Sequence, residues 1–280
     1  MKISIYRFFL AVLISCISLT VYADPNDAED IRQRAVTYSQ KADNQMNPRE
    51  ALSLYQKAYE LFKVLAEDDP ENGEYQHDLS VTYERLGDIQ ARLGNTQGAL
   101  AQYQAALAIM QTLAENDPEN SENQRDLSIS YERLGYIQAR LGNTQEALAQ
   151  YQLGFVIAQT LAENDPENSE YQRDLSISYN NLGDIQALLG NTQGALAQYQ
   201  AGLVIAQTLA DKDPENSQFQ RDLMVSFLKL ANIYKQDNNV KLSQTYYQRA
   251  LDQLLMMQDK GILAKDDEQY IGQLRKLLQE

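Results

Sequence analysis

The sequence predicts an all-α protein in which helical hairpins stack on one another as a solenoid. Three observations support this fold class. One segment recurs at a fixed interval, each copy contains two stretches with helical periodicity, and glycine or proline follows each stretch. Such an interval is typical of stacked units, because a single pair of helices cannot bury its apolar faces alone.

An Asp-Pro dipeptide marks the repeat. Its prolines are Pro70, Pro118, Pro166 and Pro214, which lie 48 residues apart. The first three of these units are near copies, the fourth has diverged, and a degenerate unit precedes them. The chain therefore divides into a signal peptide (1–23), a degenerate N-terminal repeat (24–69), repeats at 70–117, 118–165 and 166–213, a diverged repeat (214–260) and a C-terminal capping helix (261–280).

The first helix of each unit, called helix A below, is clearest in the unit from Pro118. The segment from Ser121 to Gln124 has the form of a capping box, which closes a helix N-terminus. Five later residues fall on one helical face. Gly142 ends the helix, since glycine accepts the left-handed backbone of a helix C-terminus. The face consists of Leu127, Tyr131, Leu134, Gln138 and Leu141.

The second helix, called helix B, has the same period. Asn143 can cap its N-terminus, with Glu146 three residues on. Pro166 ends it, because proline cannot extend a helix and disfavours helical geometry in the residue before it. The apolar stripe of this helix consists of Ala147, Leu148, Tyr151, Phe155, Ala158 and Leu161.

Small residues recur where helices A and B are expected to cross. A glycine inside a helix costs roughly 1 kcal/mol relative to alanine, so a close approach of the two backbones is the expected reason for it. The recurring residues are Gly87, Gly135 and Gly183 in helix A, and Ala99, Ala147 and Ala195 in helix B.

Both ends of the array have the features of caps, which give a solenoid one solvated face. Residues 24–69 keep Ala51 and Tyr55 in the register of helix B, whereas their helix A, around Ile31 to Asp43, is polar. At the other end, residues 266–279 predict one more amphipathic helix. Its inward-facing residues are Tyr270, Leu274, Leu277 and Leu278.

The unit from Pro166 contains a recognisable signature. Tyr179 to Gly183 and then Leu189 to Asn191, followed by Ala195, Tyr199 and Leu203, resemble the tetratricopeptide repeat. The family repeat is about 34 residues long, so both helices are longer here by about two turns. A tyrosine stands where the family often has tryptophan early in helix A. The resemblance implies a right-handed superhelix that binds other proteins and is not an enzyme.

The resemblance also implies where a partner binds. In this family helix A lines the concave face and presents side chains four residues apart, which share one stripe of a helix. Matching residue by residue gives a partner-binding set in three successive units. The set is Glu84, Asp88 and Arg92, then Glu132, Tyr136 and Arg140, then Asn180, Asp184 and Leu188.

Comparison of two near-identical units supports this stripe. The units from Pro118 and Pro166 keep their packing residues, yet they differ at all three stripe positions. Two simpler explanations stay open: any solvated face drifts, and Asp88 with Arg92 can form an ordinary surface ion pair. Because the stripe is rich in acids, the expected partner is a protein or peptide segment with basic and apolar side chains.

The charge of the chain narrows the class of partner. The formal net charge is −15 and the isoelectric point is ≈ 4.5. A negative field repels phosphate backbones and anionic lipid, which disfavours binding to nucleic acids and to membrane surfaces. Proteins, cations and basic peptides remain, and self-association stays open.

The N-terminus predicts export from the cytoplasm. Lys2 and Arg7 precede an apolar run from Phe8 to Val21, and Ala23 offers a signal-peptidase site. The run is shorter than the roughly 20 residues of a spanning helix, so a cleaved signal peptide is favoured over an anchor. The expected location is the periplasm or the cell exterior.

Cys16 provides a second interpretation of the same segment. Leu13 to Cys16 loosely resembles a bacterial lipoprotein cleavage site, which would leave a lipid on Cys16. The apolar residues from Ile17 to Val21 argue against it, because a lipidated chain usually begins with a polar tether. After cleavage behind Ala23 the chain has no cysteine, which excludes thiol chemistry and zinc–cysteine sites.

No catalytic residue, metal or cofactor is predicted. His77 is the single histidine and stands where other units have arginine, so a structural role is expected. Without cysteine or further histidines, the common nucleophilic triads cannot form. The turn from Asn116 to Glu122 has oxygen ligands, but its spacing matches no calcium loop and helix capping explains it.

Two alternatives remain beside the favoured function, which is a non-enzymatic protein-interaction scaffold of the bacterial cell envelope. Near-identical units can stack end to end between molecules and make a self-assembling structural spacer. A hydrolase with paired carboxylates needs one asymmetric cluster of acids. The acids instead recur with the fold, as in Glu84 with Glu132, Asp88 with Asp184 and Asp126 with Asp174.

Overall fold

The computed structural model describes residues 25–279, and the predicted signal peptide with Cys16 lies outside the described residues. Within residues 25–279 the chain forms eleven α-helices and one 3₁₀ helix, with no strand. The predicted all-α helical solenoid is confirmed. The elements are α1 Pro25–Asp43, α2 Pro48–Asp68, α3 Gly73–Arg92, α4 Thr96–Asn116, α5 Ser121–Arg140, α6 Thr144–Asn164, α7 Ser169–Leu188, α8 Thr192–Lys212, α9 Ser217–Gln236, α10 Val240–Asp259, the 3₁₀ helix Lys265–Asp267, and α11 Glu268–Leu277.

Consecutive helices pack on one another in chain order, which makes a row of hairpins. Helices α3, α5, α7 and α9 are the A helices, and α4, α6, α8 and α10 are the B helices. Successive A helices touch and are joined by several side-chain hydrogen bonds. Successive B helices share one such bond within the described residues, from Arg249 to Gln207 at 3.5 Å. The A helices are therefore closer together and line the inner, concave side.

Asparagine caps each helix A of the repeats. Asn120 Oδ1 accepts hydrogen bonds from two backbone N–H groups of the first turn, both at 3.1 Å, and the equivalent asparagines do the same. The predicted capping box, which began at Ser121, is therefore wrong by one residue. Gln124 Nε2 instead donates to the carbonyl of Ala114 at 3.3 Å, which closes the corner with the preceding helix B.

Glycine ends three A helices, as predicted for Gly142. Gly94, Gly142 and Gly190 have φ angles of +82°, +84° and +77°, a region that favours glycine. The asparagine that follows each of them is the N-cap residue of helix B. A single left-handed residue therefore reverses the chain between the two helices of a hairpin.

The cap of helix B differs between units. Asn95 Oδ1 accepts from the N–H of Gly98 at 3.1 Å, and the equivalent bond recurs at Asn191. Asn143, predicted as a cap, makes no such side-chain bond. Glu146 replaces the glycine in that unit, and a Cβ added at Gly98 would overlap the Asn95 side chain. A side chain at this position does not by itself remove the cap, because the diverged unit has Leu242 there and its N–H still donates to Asn239 Oδ1 at 3.2 Å.

The predicted close approach of helices A and B occurs at a tyrosine ring. A Cβ added at Gly87 would lie 2.5 Å from Tyr103 Cε1, and one added at Gly135 would lie 2.8 Å from Tyr151 Cδ1. Gly183 has the same contact with a tyrosine of α8. In these three hairpins the tyrosine ring fills the space that a side chain would take, whereas the diverged hairpin has Ala231 at this position, buried in the same cluster as Tyr247.

The terminal helices cover the ends of the apolar core. Ala35 of α1 is fully buried against Phe62, and Leu274 of α11 is buried in the cluster of Leu254. Tyr270, Leu277 and Leu278 pack against that cluster as predicted. In residues 25–279 no helix has both the length and the apolarity needed to cross a membrane.

Candidate functional site

The nine predicted partner-binding residues lie on three A helices and form three rows with different surroundings. We call Glu84, Glu132 and Asn180 the inner row, Asp88, Tyr136 and Asp184 the floor row, and Arg92, Arg140 and Leu188 the rim row. The rows differ in exposure and in hydrogen bonding, so the nine positions are not equivalent.

The inner row points between neighbouring A helices. Ser130 Oγ donates to Glu84 Oε1 at 2.6 Å, and a serine of the following unit makes the same bond to Glu132. Asn180 is 9% exposed and also bonds to a serine of the following unit. The structure therefore corrects the predicted placement of these three side chains on an open face, because they join each unit to the next.

Tyrosines of helix B donate hydrogen bonds to the two aspartates of the floor row. Tyr103 OH donates to Asp88 Oδ1 at 2.7 Å, and Tyr199 OH donates to Asp184 Oδ1 at 2.7 Å. Burial and then the charge of the aspartate raise the pKa of each tyrosine, so both hydroxyls remain donors. Tyr136, the third member of the row, is 47% exposed.

A cation from the following unit neutralises each floor aspartate. The guanidinium of Arg133 bonds to Asp88, and Lys229 Nζ donates to Asp184 Oδ1 at 2.7 Å. The surface ion pair of Asp88 with Arg92, considered from the sequence, is not formed. The negative charges of the floor are therefore already compensated inside the chain.

Glu132 lies between these two ion pairs along the array and forms no ion pair of its own within residues 25–279. Arg133 Nε lies 3.1 Å from Glu84 Oε2, whereas Asn181 occupies the equivalent position beside Glu132. Burial raises the pKa of Glu132 to about 7, and the hydrogen bond from Ser178 opposes this only in part. A carboxyl group that exchanges its proton near neutral pH therefore lies in the middle of the array.

The rim row is open to solvent. Leu188 is 67% exposed, and Arg92 and Arg140 are exposed as well. Arg140 Nη1 donates to the carbonyl of Ala91 at 3.3 Å and to Tyr136 OH at 3.2 Å. The guanidinium carbon of Arg140 lies 5.7 Å from the centre of the Tyr136 ring, within cation–π range. These contacts orient Arg140 across the boundary between two units.

A ladder of charge pairs, missed by the sequence prediction, runs along the first turns of the A helices. Each rung joins a basic residue to an aspartate of the following unit. Arg125 Nε donates to Asp174 Oδ2 at 2.5 Å, and Arg173 Nε donates to Asp222 Oδ2 at 2.5 Å. The sequence feature that could have revealed the ladder is an Arg-Asp dipeptide that recurs in three units, as Arg125-Asp126, Arg173-Asp174 and Arg221-Asp222.

His77 provides one rung of the ladder. Its Nε2 lies 2.8 Å from Asp126 Oδ2, which agrees with the structural role expected from its place among the arginines. The hydrogen bond to Asp126 raises the pKa of His77, and burial opposes the shift. The charged form of His77 is therefore favoured at a higher pH than in a free imidazole.

The ladder includes both terminal caps. Arg32 Nε of α1 donates to Asp78 Oδ2 at 2.7 Å, and Arg221 Nε donates to Asp267 Oδ2, just before α11, at 2.7 Å. The first and last rungs of the ladder are therefore both formed by residues of one chain. The ladder therefore gives no support to the spacer alternative, in which units stack end to end between molecules.

Two pockets contain floor and rim residues, one in each half of the concave side. The N-pocket, of about 450 Å³, includes Asp43, Tyr55, Arg85, Asp88, Arg92, Tyr103, Tyr136 and Arg140. The C-pocket, of about 410 Å³, includes Asp184, Leu188, Tyr199, Lys229, Ile233 and Gln236. An arginine-lined pocket and a leucine-lined pocket therefore lie on one groove.

The groove is suited to recognition. Arginine and tyrosine are enriched among the residues that dominate protein interfaces, and both lie on its rim or floor. No group of three or more His, Cys, Asp or Glu side chains within residues 25–279 is placed to hold a metal ion. In the turn from Asn116 to Glu122, the Asn120 side chain is used as a helix cap.

Comparisons of the sequence alone find no family model and no curated protein that match the chain. The structure matches solved proteins. BtubC (BKLC) from P. vanneervenii has a TM-score of 0.61 and 20% identity, covering 85% of each chain. A putative kinesin light chain with nearly identical TPR-like repeats from Podosopora anserina has a TM-score of 0.51 and 17% identity, covering 83% of this chain and 98% of that one. The chain has a tetratricopeptide-repeat fold.

A larger protein contains the same fold as a part. A signal transduction ATPase with numerous domains and a tetratricopeptide repeat sensor, from Pyrococcus horikoshii, has a TM-score of 0.55 and 18% identity. The match covers 84% of this chain but 30% of that protein. The likeness confirms the predicted tetratricopeptide-like fold, and at these identities it extends to the fold alone.

Proposed function

We propose that this tetratricopeptide-type protein is a non-enzymatic interaction scaffold that binds a segment of a partner protein in its concave groove. The contrast between the three rows carries the proposal. The inner and floor rows use their polar atoms inside the chain, whereas the rim row is exposed and changes from arginine to leucine between near-identical units. The rim side chains are not needed for packing between helices, so they can differ between units and give each unit a different surface for a partner.

The fold supports this function. Stacked helical hairpins create an extended concave surface, which such proteins use for binding. Repeats of this kind are generally interaction modules, and one structural neighbour carries them as a sensor. The site argues in the same direction, because it offers exposed arginine, tyrosine and leucine and no constellation of catalytic groups.

We propose that the scaffold acts outside the cytoplasm, in the periplasm or secreted from a bacterial cell. The basic start, the apolar run and the small residue Ala23 support export. A chain without cysteine after Ala23 is also compatible with an oxidising compartment. Fractionation of cells that express the tagged chain tests this location. A tagged chain retained in the cytoplasm at full length would contradict it, and Cys16→Ser should leave the fractionation unchanged.

Affinity capture with matched variants tests the binding groove. Three baits would be used in an envelope fraction. They are the unmodified chain, the variant Tyr136→Ala/Arg140→Ala, which changes one exposed floor residue and one rim residue and is called the rim variant, and the outer-face variant Val156→Ala/Val204→Ala. Val156 and Val204 are 59% and 67% exposed on B helices, so their loss is a matched surface control. A defined partner should be retained by the unmodified chain and the control, and lost with the rim variant. Equal recovery with all three baits would contradict the groove, and recovery of the protein alone would favour the spacer.

A further inference from the structure

Three arginines of the N-pocket have no carboxylate partner within residues 25–279. Arg85, Arg92 and Arg140 all line this pocket and are all exposed, yet none takes part in an ion pair of the described chain. The two acids of the same pocket are occupied otherwise. Asp43 accepts a hydrogen bond from Tyr55, and Asp88 accepts from Tyr103 and bonds to Arg133. The neutral Tyr55 hydroxyl leaves the charge of Asp43 in place, but three guanidinium groups outnumber this one carboxylate, so the pocket presents a net positive charge.

The unpaired arginines of the N-pocket are grouped in one place. The other described arginines without an ion pair, Arg49, Arg249 and Arg275, lie on three different helices. The chain has 39 acidic and 24 basic residues, so a carboxylate partner is easy to supply. Most other basic residues of the A helices are paired: Arg125, Arg133, Arg173, Arg221 and Lys229 each contact at least one carboxylate of the described chain, whereas Lys235 does not. The N-pocket therefore concentrates three guanidinium groups that no carboxylate of the described chain contacts within ion-pair distance, and a carboxylate from a ligand can pair with them.

Arg140 is also held ready for such a ligand. Two of its contacts, to the Ala91 carbonyl and to Tyr136, fix the guanidinium at the edge of the pocket without neutralising it. A guanidinium offers five N–H donors in a fixed plane that matches a carboxylate, and fixing it in advance lowers the entropy cost of binding. Tyr136 adds an exposed aromatic surface beside the same arginine.

We propose that the N-pocket binds an acidic segment of a partner protein through side-chain carboxylates that face Arg85, Arg92 and Arg140. The inference rests on the proposed function of the groove and gives the chemistry of its ligand. It replaces the sequence-based expectation of a basic segment. That expectation counted Glu84, Asp88, Glu132 and Asp184 as free acids, whereas all four are bonded inside the chain.

The C-pocket indicates which residues should accompany the acidic residues in the partner segment. In the C-pocket, Leu188 takes the place of the rim arginines, and Ile233 lies in the same lining. A segment that continues from the N-pocket toward the C-pocket therefore meets positive charge first and an apolar surface afterwards. Because the whole chain is strongly negative, the attraction is local, and salt should weaken it.

Fluorescence anisotropy with four labelled peptides tests the proposal, and three of them form one series. The three peptides of the series share one apolar pattern and have both ends blocked. They carry glutamate, glutamine or lysine at the remaining positions. A fourth peptide has glutamine and a free C-terminal carboxylate, which separates a terminal carboxylate from side-chain carboxylates. Each is titrated with the mature chain, with Arg92→Gln/Arg140→Gln, and with Arg275→Gln/Lys276→Gln. The last variant removes two exposed charges from α11 and is the matched control.

The glutamate peptide should bind the unmodified chain and the control best. The Arg92→Gln/Arg140→Gln variant should bind it about tenfold more weakly, since one strong charge-assisted hydrogen bond corresponds to about that factor. Equal affinity for the double variant, or stronger binding of the free-carboxylate peptide, overturns the acidic segment. Preference for the lysine or glutamine peptide, abolished by Tyr136→Ala, also overturns it but leaves the groove function standing. If no peptide binds and Tyr136→Ala changes nothing in partner capture, the inference and the groove function both fail.

Discussion

The N-pocket and the C-pocket are built on the same floor and differ at the rim. In both, a tyrosine of helix B donates to an aspartate of helix A, and a cation of the following unit neutralises that aspartate. The rim has Arg92 and Arg140 in the first pocket and Leu188 in the second. Two units with almost the same sequence therefore present opposite surface chemistry.

The comparison shows how a duplicated unit can change its ligand without losing its fold. Floor residues use hydrogen bonds that span two helices or two units, so a change there costs stability. Rim side chains make few contacts within the chain, and surface substitutions of this kind usually change stability by less than about 0.5 kcal/mol. Stability and recognition are thus assigned to different rows of one helix.

The largest effect is expected where the shared floor is broken. Gly87→Val and Gly183→Val add carbons against the rings of Tyr103 and Tyr199, and each should lower the free energy of unfolding by about 3 kcal/mol. Circular dichroism during thermal unfolding measures the loss. Gly272→Ala, where an added Cβ has nothing within 4 Å, is the control and should change little. A loss at Gly272 as large as that at Gly87 would contradict the close approach.

A smaller effect distinguishes the two cations. Arg133 lies against both Glu84 and Asp88, whereas Lys229 compensates Asp184 alone. Arg133→Met should cost about 2 kcal/mol, because it leaves two carboxylates without a cation, and Lys229→Met should cost less than about 1 kcal/mol at its more exposed site. Urea unfolding curves give both values. Equal losses would show that the two floors are compensated alike.

The junction between the pockets should respond to pH. Burial raises the pKa of Glu132 from 4.5 to about 7, so between these values the folded chain keeps a proton that the unfolded chain has lost. The free energy of unfolding should therefore fall by about 2 to 3 kcal/mol as pH rises from 5 to 8. Thermal unfolding across this range measures the slope, and Glu132→Gln should reduce it. An unchanged slope in Glu132→Gln would exclude this carboxyl as the source.

The smallest effect concerns the ladder beside each pocket. Near the N-pocket the rung is His77 with Asp126, and near the C-pocket it is Arg173 with Asp222. The raised pKa of His77 means that its contribution is complete below about pH 6.5 and is lost as pH rises through the folded value. His77→Arg should therefore stabilise the chain by about 0.5 kcal/mol at pH 8, after solvent screening, and by less at pH 5. Melting temperatures at the two pH values check the difference, and a gain confined to pH 5 would contradict the rung.

Local patterns predicted the fold because helix formation and chain reversal depend on nearby residues. Gly142 ended a helix as expected, and the 48-residue interval fixed the stacking. Side chains that act between units were harder to predict. Glu132 was assigned to an open stripe because it is polar and in register, but its partner Ser178 is 46 residues away. Helical period alone does not show which polar residues lie against a neighbouring helix.

The ladder and the cap of helix B were missed for related reasons. Arg125 bonds an aspartate 49 residues on, one more than the repeat length, so simple alignment of the units does not pair the two. Asn143 was a valid cap by residue type, but its side chain donates to Gln138 and accepts no cap bond. The rim row was predicted to be exposed, and it is. Divergence between the copies did not single it out, because the buried inner position also differs, with Glu132 in one unit and Asn180 in the next.

Site-specific photo-crosslinking tests most directly whether the concave side is the binding surface. A photoreactive residue is placed at Leu188 on the rim or at Val204 on helix B, which are equally exposed at 67%. Each chain is irradiated in the native envelope fraction, and covalent adducts are identified by mass. The proposed function predicts one defined partner joined through position 188 and absent at position 204. The same adduct at position 204, or at position 204 alone, would place the partner on the outer face and contradict the groove.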